Sequence, residues 1–213
     1  MPPQPFYLDL IDRTDLGYRV TDESSLSQYT PDGFTATHSD FRHGAVEPGD
    51  LRAWYDELFG DDDDSALNME IEKHVDYWTD QEEGSRYIST SNCLDWAIKE
   101  VHKRISWGRE GVKMWVIKMP QSSLNARKQQ YGRARPIVSR PGQPEMIGHH
   151  AIDHLKSWRP TNFAKASSRI VWFGNIPAAR VIHETIWSAT VSGFSPHAQA
   201  KNEGRLIHLG NWY

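Results

Sequence analysis

The pattern of apolar and polar positions along the chain predicts a series of short strands. Leu16, Tyr18 and Val20 alternate with small or polar residues, as in a half-buried strand, so Arg19 would point away from their shared face. A run rich in Val, Ile, Met and Trp predicts a second strong strand that ends before Pro120. The extended segments predicted after the first strand are 33–36, 87–88, 112–119, 169–173 and 177–187.

Other segments have apolar residues with the period of an amphipathic helix. Leu67, Ile71 and Val75 would share one face, and Asn92 with Asp95 would cap the helix that follows the strand at 87–88. The predicted helices are 24–29, 48–59, 67–78, 146–158 and a segment that begins at Asn92. Helices interspersed among strands indicate an α+β fold class, and the length suits a single domain over residues 1–213.

Composition narrows the class of protein. The chain has 213 residues, a hydrophobic content of 38% and a formal net charge of −4, so its overall charge does not indicate a nucleic-acid-binding protein. Its one cysteine, Cys93, cannot form an intramolecular disulfide, which favours a reducing, cytoplasmic location. The N-terminal residues do not read as a signal peptide, and no apolar run is long enough to predict a membrane span.

Four short motifs occur in a defined order along the chain. Tyr18-Arg19 lies in the first strand, Asp32-Gly33-Phe34 follows it, Ser89-Thr90-Ser91 joins a strand to a helix, and Asn175-Ile176-Pro177 follows a late strand. This order resembles that of ADP-ribosyltransferases of the arginine, Ser-Thr-Ser, glutamate class, which includes pertussis-like and cholera-like toxin subunits. It also resembles an uncharacterised domain that is common in filamentous fungi.

The resemblance implies a split, mixed or antiparallel sheet with flanking helices and a transferase that uses NAD. In such a site Arg19, after Tyr18, would bind the phosphate or ribose of NAD through its forked guanidinium. Ser89 would orient the ribose and the catalytic acid, while Thr90 and Ser91 would keep the strand end open for the nicotinamide. From the residues alone, a surface ion pair at Arg19 and a helix N-cap in the triplet are the alternatives.

One position departs from the resemblance. The family's catalytic glutamate lies on the strand before the Ile-Pro turn, and Arg169 occupies that place here. A guanidinium cannot stabilise the positive charge that develops as nicotinamide leaves, and losing such a partner costs on the order of a hundredfold to a thousandfold in rate. Glu145 and Glu184 are the candidate replacement acids, and Arg169 becomes a candidate substrate-binding residue.

A basic loop suggests a different class of partner. Residues 121–142 contain several cations and no acid, interrupted by Gly and Pro, which predicts either a phosphate- or nucleic-acid-binding loop or solvated surface charge. The residues expected to bind are Arg127, Lys128, Arg133 and Arg135. tRNA is the expected polyanion in this case.

Three functions follow from these observations. The leading one is ADP-ribosyl transfer from NAD, or NAD hydrolysis. The first alternative, by similarity of size, is a fungal aminoacyl-tRNA-dependent, arginine-containing cyclodipeptide synthase. The second is a catalytically degenerate domain that only binds its ligand.

A histidine-rich segment at 149–154 is a further candidate for a functional site. His150 and His154 would share a helical face, a spacing that suits zinc, general acid–base catalysis or ordinary buried histidines. Because no glutamate follows the first histidine as in metalloprotease helices, no metal is expected.

Overall fold

The computed structural model describes residues 15–42, 50–60, 64–76, 84–120 and 136–187. The strands are β1 (Leu16–Thr21), β2 (Tyr29–Thr30), β3 (Gly33–Thr35), β4 (Tyr87–Ser91), β5 (Val112–Lys118), β6 (Ile137–Val138), β7 (Ile147–His150), β8 (Arg169–Phe173), β9 (Asn175–Pro177) and β10 (Val181–Trp187). The helices are α1 (Ser39–Arg42), α2 (Leu51–Phe59), α3 (Ser65–Val75), α4 (Leu94–Ser106) and α5 (Trp158–Ser167). Within these ranges no helix has the length and apolar character that a membrane crossing requires.

The larger sheet is nearly divided in two. Its strand order is β10-β5-β1-β4-β8-β7-β6, and each pair of neighbouring strands is antiparallel. Tyr18 and Ser91 form the one residue pair that joins β1 to β4, whereas the neighbouring strands β4 and β8 are paired along their whole length. The α+β class with a split antiparallel sheet is therefore confirmed.

Three apolar clusters hold the layers together. α4 packs its Leu94, Ile98 and Val101 against β1 and β5 on one face of the sheet. The small sheet β2-β3-β9 covers the other face with Phe34 and Ile176. Helices α2, α3 and α5 cover the half that contains β4, β8 and β7. The helical period therefore predicted the inward face of α3, with Leu67, Ile71 and Val75, correctly.

Two of the sequence motifs are neighbours in space. β3 pairs with β9, so that Phe34 lies opposite Ile176 and Gly33 opposite Pro177. Gly33 has a φ of 113°, and a side chain there would collide with the carbonyl oxygen of Ile176. Glycine is required at this position because it alone accepts this backbone conformation without cost.

The predicted helix at 24–29 is wrong. The carboxylate of Asp22 accepts hydrogen bonds from the backbone N–H and hydroxyl of Ser24, and an ion pair of 2.8 Å joins it to Arg104. The side-chain amide of Gln28 also donates to the Asp22 carbonyl oxygen. These local bonds close a turn that leads into β2, as short polar side chains commonly do in competition with a helix.

The predicted helix at 146–158 is also wrong. β7 pairs with β8 from Ile147 to His150, and a 3₁₀ helix at Ala151–Asp153 follows before α5 begins. His150 and His154 therefore do not share a helical face. Sheet pairing decides the conformation because Ile147 and His149 are fully buried against the core, where a strand gives their backbone groups partners.

The start of α4 differs slightly from the prediction. The helix begins at Leu94 after Cys93, and neither Asn92 nor Cys93 caps it with a side chain. The hydroxyl of Ser91 accepts a hydrogen bond of 3.0 Å from the Cys93 N–H instead. The last residue of the Ser-Thr-Ser triplet therefore tethers the strand end to the helix start.

A chain of neutral hydrogen bonds is buried between the sheet and the helices. The Tyr55 hydroxyl lies 2.7 Å from His149 Nε2, His149 Nδ1 lies 3.0 Å from His154 Nε2, and His154 Nδ1 lies 2.7 Å from Asn68 Oδ1. Because the Asn68 oxygen only accepts, His154 donates to it, His149 donates to His154, and Tyr55 donates to His149. Burial lowers the pKa of both histidines, so the chain is complete only while they are uncharged.

This chain predicts acid sensitivity. The folded pKa of each histidine lies below the unfolded value of about 6.5, so the unfolded chain binds more protons and the free energy of unfolding falls as pH drops below about 6.5. Each such histidine adds a slope of about 1.4 kcal/mol per pH unit. Urea unfolding between pH 7 and 5 should show this decline, and His154→Gln should reduce the slope.

The control for this experiment is His102→Gln. His102 lies on α4, and its side chain has no described hydrogen bond. This variant should therefore keep the wild-type slope of unfolding free energy against pH. An equal slope in wild type and His154→Gln would contradict the assigned role of the chain.

Candidate functional site

Ser89 and His74 form a hydrogen-bonded pair beside the split in the sheet. Ser89 lies on β4, and its hydroxyl oxygen is 2.8 Å from Nε2 of His74 near the end of α3. The other ring nitrogen, Nδ1, lies 2.6 Å from the hydroxyl of Ser85. Burial, together with the positive charges of Arg169 and Arg19, lowers the pKa of His74 to about 3. The imidazole is therefore neutral at physiological pH and joins the two serines.

The low pKa decides what this pair can do. A Ser–His pair can act as nucleophile and general base when the histidine pKa lies near the working pH. At a pKa of about 3, and with two guanidinium charges nearby, accepting a proton from Ser89 is strongly disfavoured for His74. The geometry therefore favours a role for His74 in orienting the Ser89 hydroxyl over one in activating it as a nucleophile.

Arg19 spans the gap between the separating strands β1 and β4. Its Nη1 donates a hydrogen bond of 2.9 Å to the carbonyl oxygen of Ser89, and Nη2 donates one of 3.1 Å to that of Ser27. The guanidinium carbon lies 5.0 Å from the centroid of the Phe34 ring. Arg19 thus lies beside Ser89 and links β1 to β4 and to the turn that precedes β2.

Arg169 is the second cation at the site. It is the first residue of β8, it lies opposite Ser91 on β4, and its guanidinium carbon is 4.3 Å from the centroid of the Phe163 ring. Its charge lowers the pKa of His74 more than that of Arg19 does. The position that the resemblance assigns to a glutamate therefore holds a positive charge beside the Ser89–His74 pair.

The other two residues of the triplet have different surroundings. Thr90 is buried, and its hydroxyl accepts a hydrogen bond of 2.9 Å from Nε1 of Trp172. The Ser91 hydroxyl donates a hydrogen bond of 2.5 Å to the carbonyl oxygen of Ser167, while Tyr18 is buried in the cluster under α4. Of the three hydroxyls, that of Ser89 is the one bonded to His74. The roles proposed for Tyr18, Thr90 and Ser91 at a substrate remain predictions.

The two candidate replacement acids lie away from this pair. Glu184 lies on β10 in the same cross-strand row as Trp115 and Arg19, about 10 Å from β1 by strand spacing, and Lys113 is 2.6 Å from its carboxylate. Glu145 lies in the loop between β6 and β7, at the far edge of the sheet. Neither acid is brought next to Ser89, and a catalytic role for either remains a prediction.

The remaining candidates from the sequence concern the basic loop and a metal site. Arg127, Lys128, Arg133 and Arg135 lie outside the described residues, so their predicted binding of phosphate or tRNA remains a prediction. Within the described part of the chain no group of His, Cys, Asp and Glu side chains is arranged to hold a metal ion.

His74 is the residue of the site that the sequence patterns did not select. It follows Ile71 by one helical turn and lies next to the apolar stripe of α3. At such a border position a histidine is expected to be a partly buried polar residue and does not by itself indicate a functional site. Its partner Ser89 was identified by a motif. The pairing between them depends on how α3 packs on β4, which no local pattern gives.

Comparison with known proteins gives a family and a distant structural likeness. The family model described as "Domain of unknown function (DUF7587)" matches residues 12–190, and the chain therefore belongs to this family. No curated protein matches the chain. A solved chain named EcPltA, an ADP-ribosyltransferase toxin subunit, is 15% identical over 82% of this chain and 77% of that chain, with a TM-score of 0.39. So low a TM-score marks a remote likeness, and the interpretation of the site comes from its own geometry.

The geometry of Arg19 predicts a structural effect of Arg19→Lys. A lysine keeps the charge but has no fork to reach two carbonyl oxygens in fixed directions. Hydrogen bonds from a charged group contribute about 1.5–3 kcal/mol each, so losing one should lower the free energy of unfolding by about that amount. Urea unfolding at pH 7 measures it.

Arg109→Lys is the matched control, because Arg109 is exposed and its side chain has no described partner. If both variants unfold at the wild-type urea concentration, Arg19 does not hold the two strands in position.

Proposed function

We propose that this DUF7587 domain binds NAD in the cleft where β1 and β4 separate, and that it transfers ADP-ribose or hydrolyses NAD only slowly. The observation that carries the proposal is the Ser89–His74 pair, because Arg19 donates a hydrogen bond to the Ser89 carbonyl oxygen and the charges of both Arg169 and Arg19 act on His74. The motif order supplies the resemblance to ADP-ribosyltransferases, and the geometry supports a nucleotide as the ligand.

The charges at the cleft favour a phosphate-bearing ligand. Arginine remains protonated throughout the physiological pH range, and its planar fork matches phosphate oxygens. His74 is neutral, so the positive charge near the site comes from the two arginines, while His74 keeps the Ser89 hydroxyl oriented. Two cations near an oriented hydroxyl suit a pyrophosphate with its attached ribose.

The same charges disfavour cleavage of the ligand. The bond between ribose and nicotinamide breaks with positive charge developing on the sugar, which an adjacent carboxylate stabilises and a cation does not. Arg169 lies where the resemblance expects that carboxylate, and Glu184 is engaged by Lys113. Binding without rapid turnover is therefore the expected behaviour.

A pure binding module is the second candidate, and the position of Arg169 favours it directly. It differs from a slow enzyme only in whether any nicotinamide is released. The aminoacyl-tRNA-dependent synthase depends on the basic residues at 127–135, and no contact among the described residues favours it over NAD.

The decisive variant is Arg169→Glu, which replaces the cation with the acid that the resemblance expects. Calorimetry should detect NAD binding by the wild type, and chromatography should detect little released nicotinamide. Arg169→Glu should raise nicotinamide release at least about tenfold, since one such electrostatic partner is worth about a hundredfold or more when well placed.

Two control variants distinguish the effect of a carboxylate at position 169 from the effect of a change in charge alone. Arg169→Gln removes the cation without adding an acid, so it should not reach the rate of Arg169→Glu. Arg109→Glu makes the same change in charge on an exposed residue and should leave both NAD binding and release unchanged. Absence of NAD binding by the wild type would overturn the proposal.

A further inference from the structure

Arg180 is a buried cation far from the Ser89–His74 pair. It ends the short 3₁₀ helix between β9 and β10, and 6% of its surface is exposed. Its Nη2 lies 2.8 Å from Gln143 Oε1, 3.2 Å from the Ser139 hydroxyl and 3.4 Å from the carbonyl oxygen of Pro144. All three partners belong to the loop between β6 and β7, so Arg180 holds that loop against the β9–β10 connection.

No carboxylate compensates the Arg180 charge among the described residues. Its three partners are neutral oxygens, and its Nε is buried without any hydrogen-bond partner. Burial lowers the pKa of the guanidinium, which reflects the unfavourable transfer of this charge out of water. A buried charge is normally paired, because leaving it unpaired costs several kcal/mol.

The loop in front of Arg180 has a fixed shape. Arg140-Pro141-Gly142-Gln143 closes with a hydrogen bond of 3.1 Å from the Gln143 N–H to the Arg140 carbonyl oxygen. Gly142 has a φ of 80°, which suits the third position of a type II turn after proline. The Met146 N–H also donates to the Ser139 hydroxyl oxygen at 3.0 Å, so both ends of the loop are anchored.

These bonds leave hydrogen-bond donors facing outward. The Ser139 oxygen accepts from both Met146 and Arg180, so its own O–H remains available to donate. Guanidinium groups only donate, which fixes the Gln143 carbonyl oxygen toward Arg180 and leaves the Gln143 NH₂ for another acceptor. The Arg180 charge thus orients two neutral side chains as donors.

Both of these side chains line a surface cavity of about 400 Å³. Arg52 and Arg140 lie on its wall as well, and Glu145 is the one acid among the described residues that line it. Arg140 is exposed and has no described side-chain partner, whereas Arg52 pairs with Asp56 at 2.8 Å. The cavity therefore combines oriented neutral donors with cations on its wall and a buried cation one hydrogen bond behind it.

We propose that this cavity binds a small molecule that carries a phosphate group. Phosphate oxygens accept the Ser139 and Gln143 donors, and the ion pairs with Arg140, while Arg180 supplies the compensating charge from behind. Glu145 faces the rest of the ligand, so a hydroxyl or ammonium group on the same molecule has an acceptor there. A bare polyanion would be repelled by Glu145.

The test is calorimetric titration of the whole chain with inorganic phosphate and with O-phosphoethanolamine, at constant ionic strength set by chloride. The wild type should bind both, and O-phosphoethanolamine more tightly because its ammonium reaches Glu145. Arg180→Met, which keeps an unbranched apolar stem but removes the charge, should raise the dissociation constant at least about tenfold, the loss expected for one charged partner. Arg140→Gln should weaken binding too and leaves the loop bonds in place.

Several outcomes overturn the proposal. Lack of phosphate binding by the wild type does so, as does an equal effect of chloride or acetate. Arg109→Met removes an exposed arginine elsewhere and must leave the dissociation constant unchanged. If Arg180→Met fails to fold, unchanged phosphate binding by Arg140→Gln is the contradicting result. A negative result in this experiment would not count against the proposed NAD binding at Ser89, because the two sites share no residue.

Discussion

The structure depends on how the two halves of the large sheet are joined. A single residue pair, Tyr18 with Ser91, links β1 to β4, and beyond it the strands separate. Backbone groups at such a separation need partners other than each other. Arg19 supplies them, because its fork reaches the carbonyl oxygens of Ser89 and Ser27 from one side chain. The separation leaves Arg19 beside Ser89, and this is where we propose that a nucleotide binds.

The position of Arg19 between the separating strands also affects the charges around Ser89. The Arg19 guanidinium that bridges the separated strands stays positively charged. Its charge lowers the pKa of a histidine packed nearby, because it disfavours the protonated imidazole. Burial is the main cause of the low pKa of His74, and the charges of Arg169 and then Arg19 lower it further, so His74 remains an uncharged link between Ser85 and Ser89. These two cations disfavour proton transfer to His74, and they are also the groups that the proposed phosphate-bearing ligand would meet.

The elements with strong local patterns were predictable. β1 lies where the alternation of apolar residues predicted it, β8 coincides with the predicted extended segment 169–173, and α3 presents the apolar face that its period indicated. Segments governed by specific polar contacts were not predictable. The carboxylate of Asp22 turns 24–29 away from a helix, and burial of His149 on β7 overrides the helical pattern at 146–158.

The candidate site was predictable only in part, for a related reason. A motif resemblance identified Arg19, Ser89 and the unexpected Arg169, since each stands at a recognisable place in its own segment. The contribution of His74 could not be read in this way, because it arises from the packing of α3 on β4. The same holds for Arg180, whose significance lies in having only neutral oxygens as partners among the described residues.

α3 links the stability of the domain to its candidate cleft. The helix carries Asn68, which ends the buried chain from Tyr55 through His149 and His154, and it carries His74, which orients Ser89. Protonation of the buried histidines breaks the chain that holds one end of this helix. His74 at the other end then loses its fixed position, even though its own pKa of about 3 keeps it neutral at that pH. Ligand binding at the cleft should therefore weaken in acid together with the free energy of unfolding, through a helix and not through titration of the site itself.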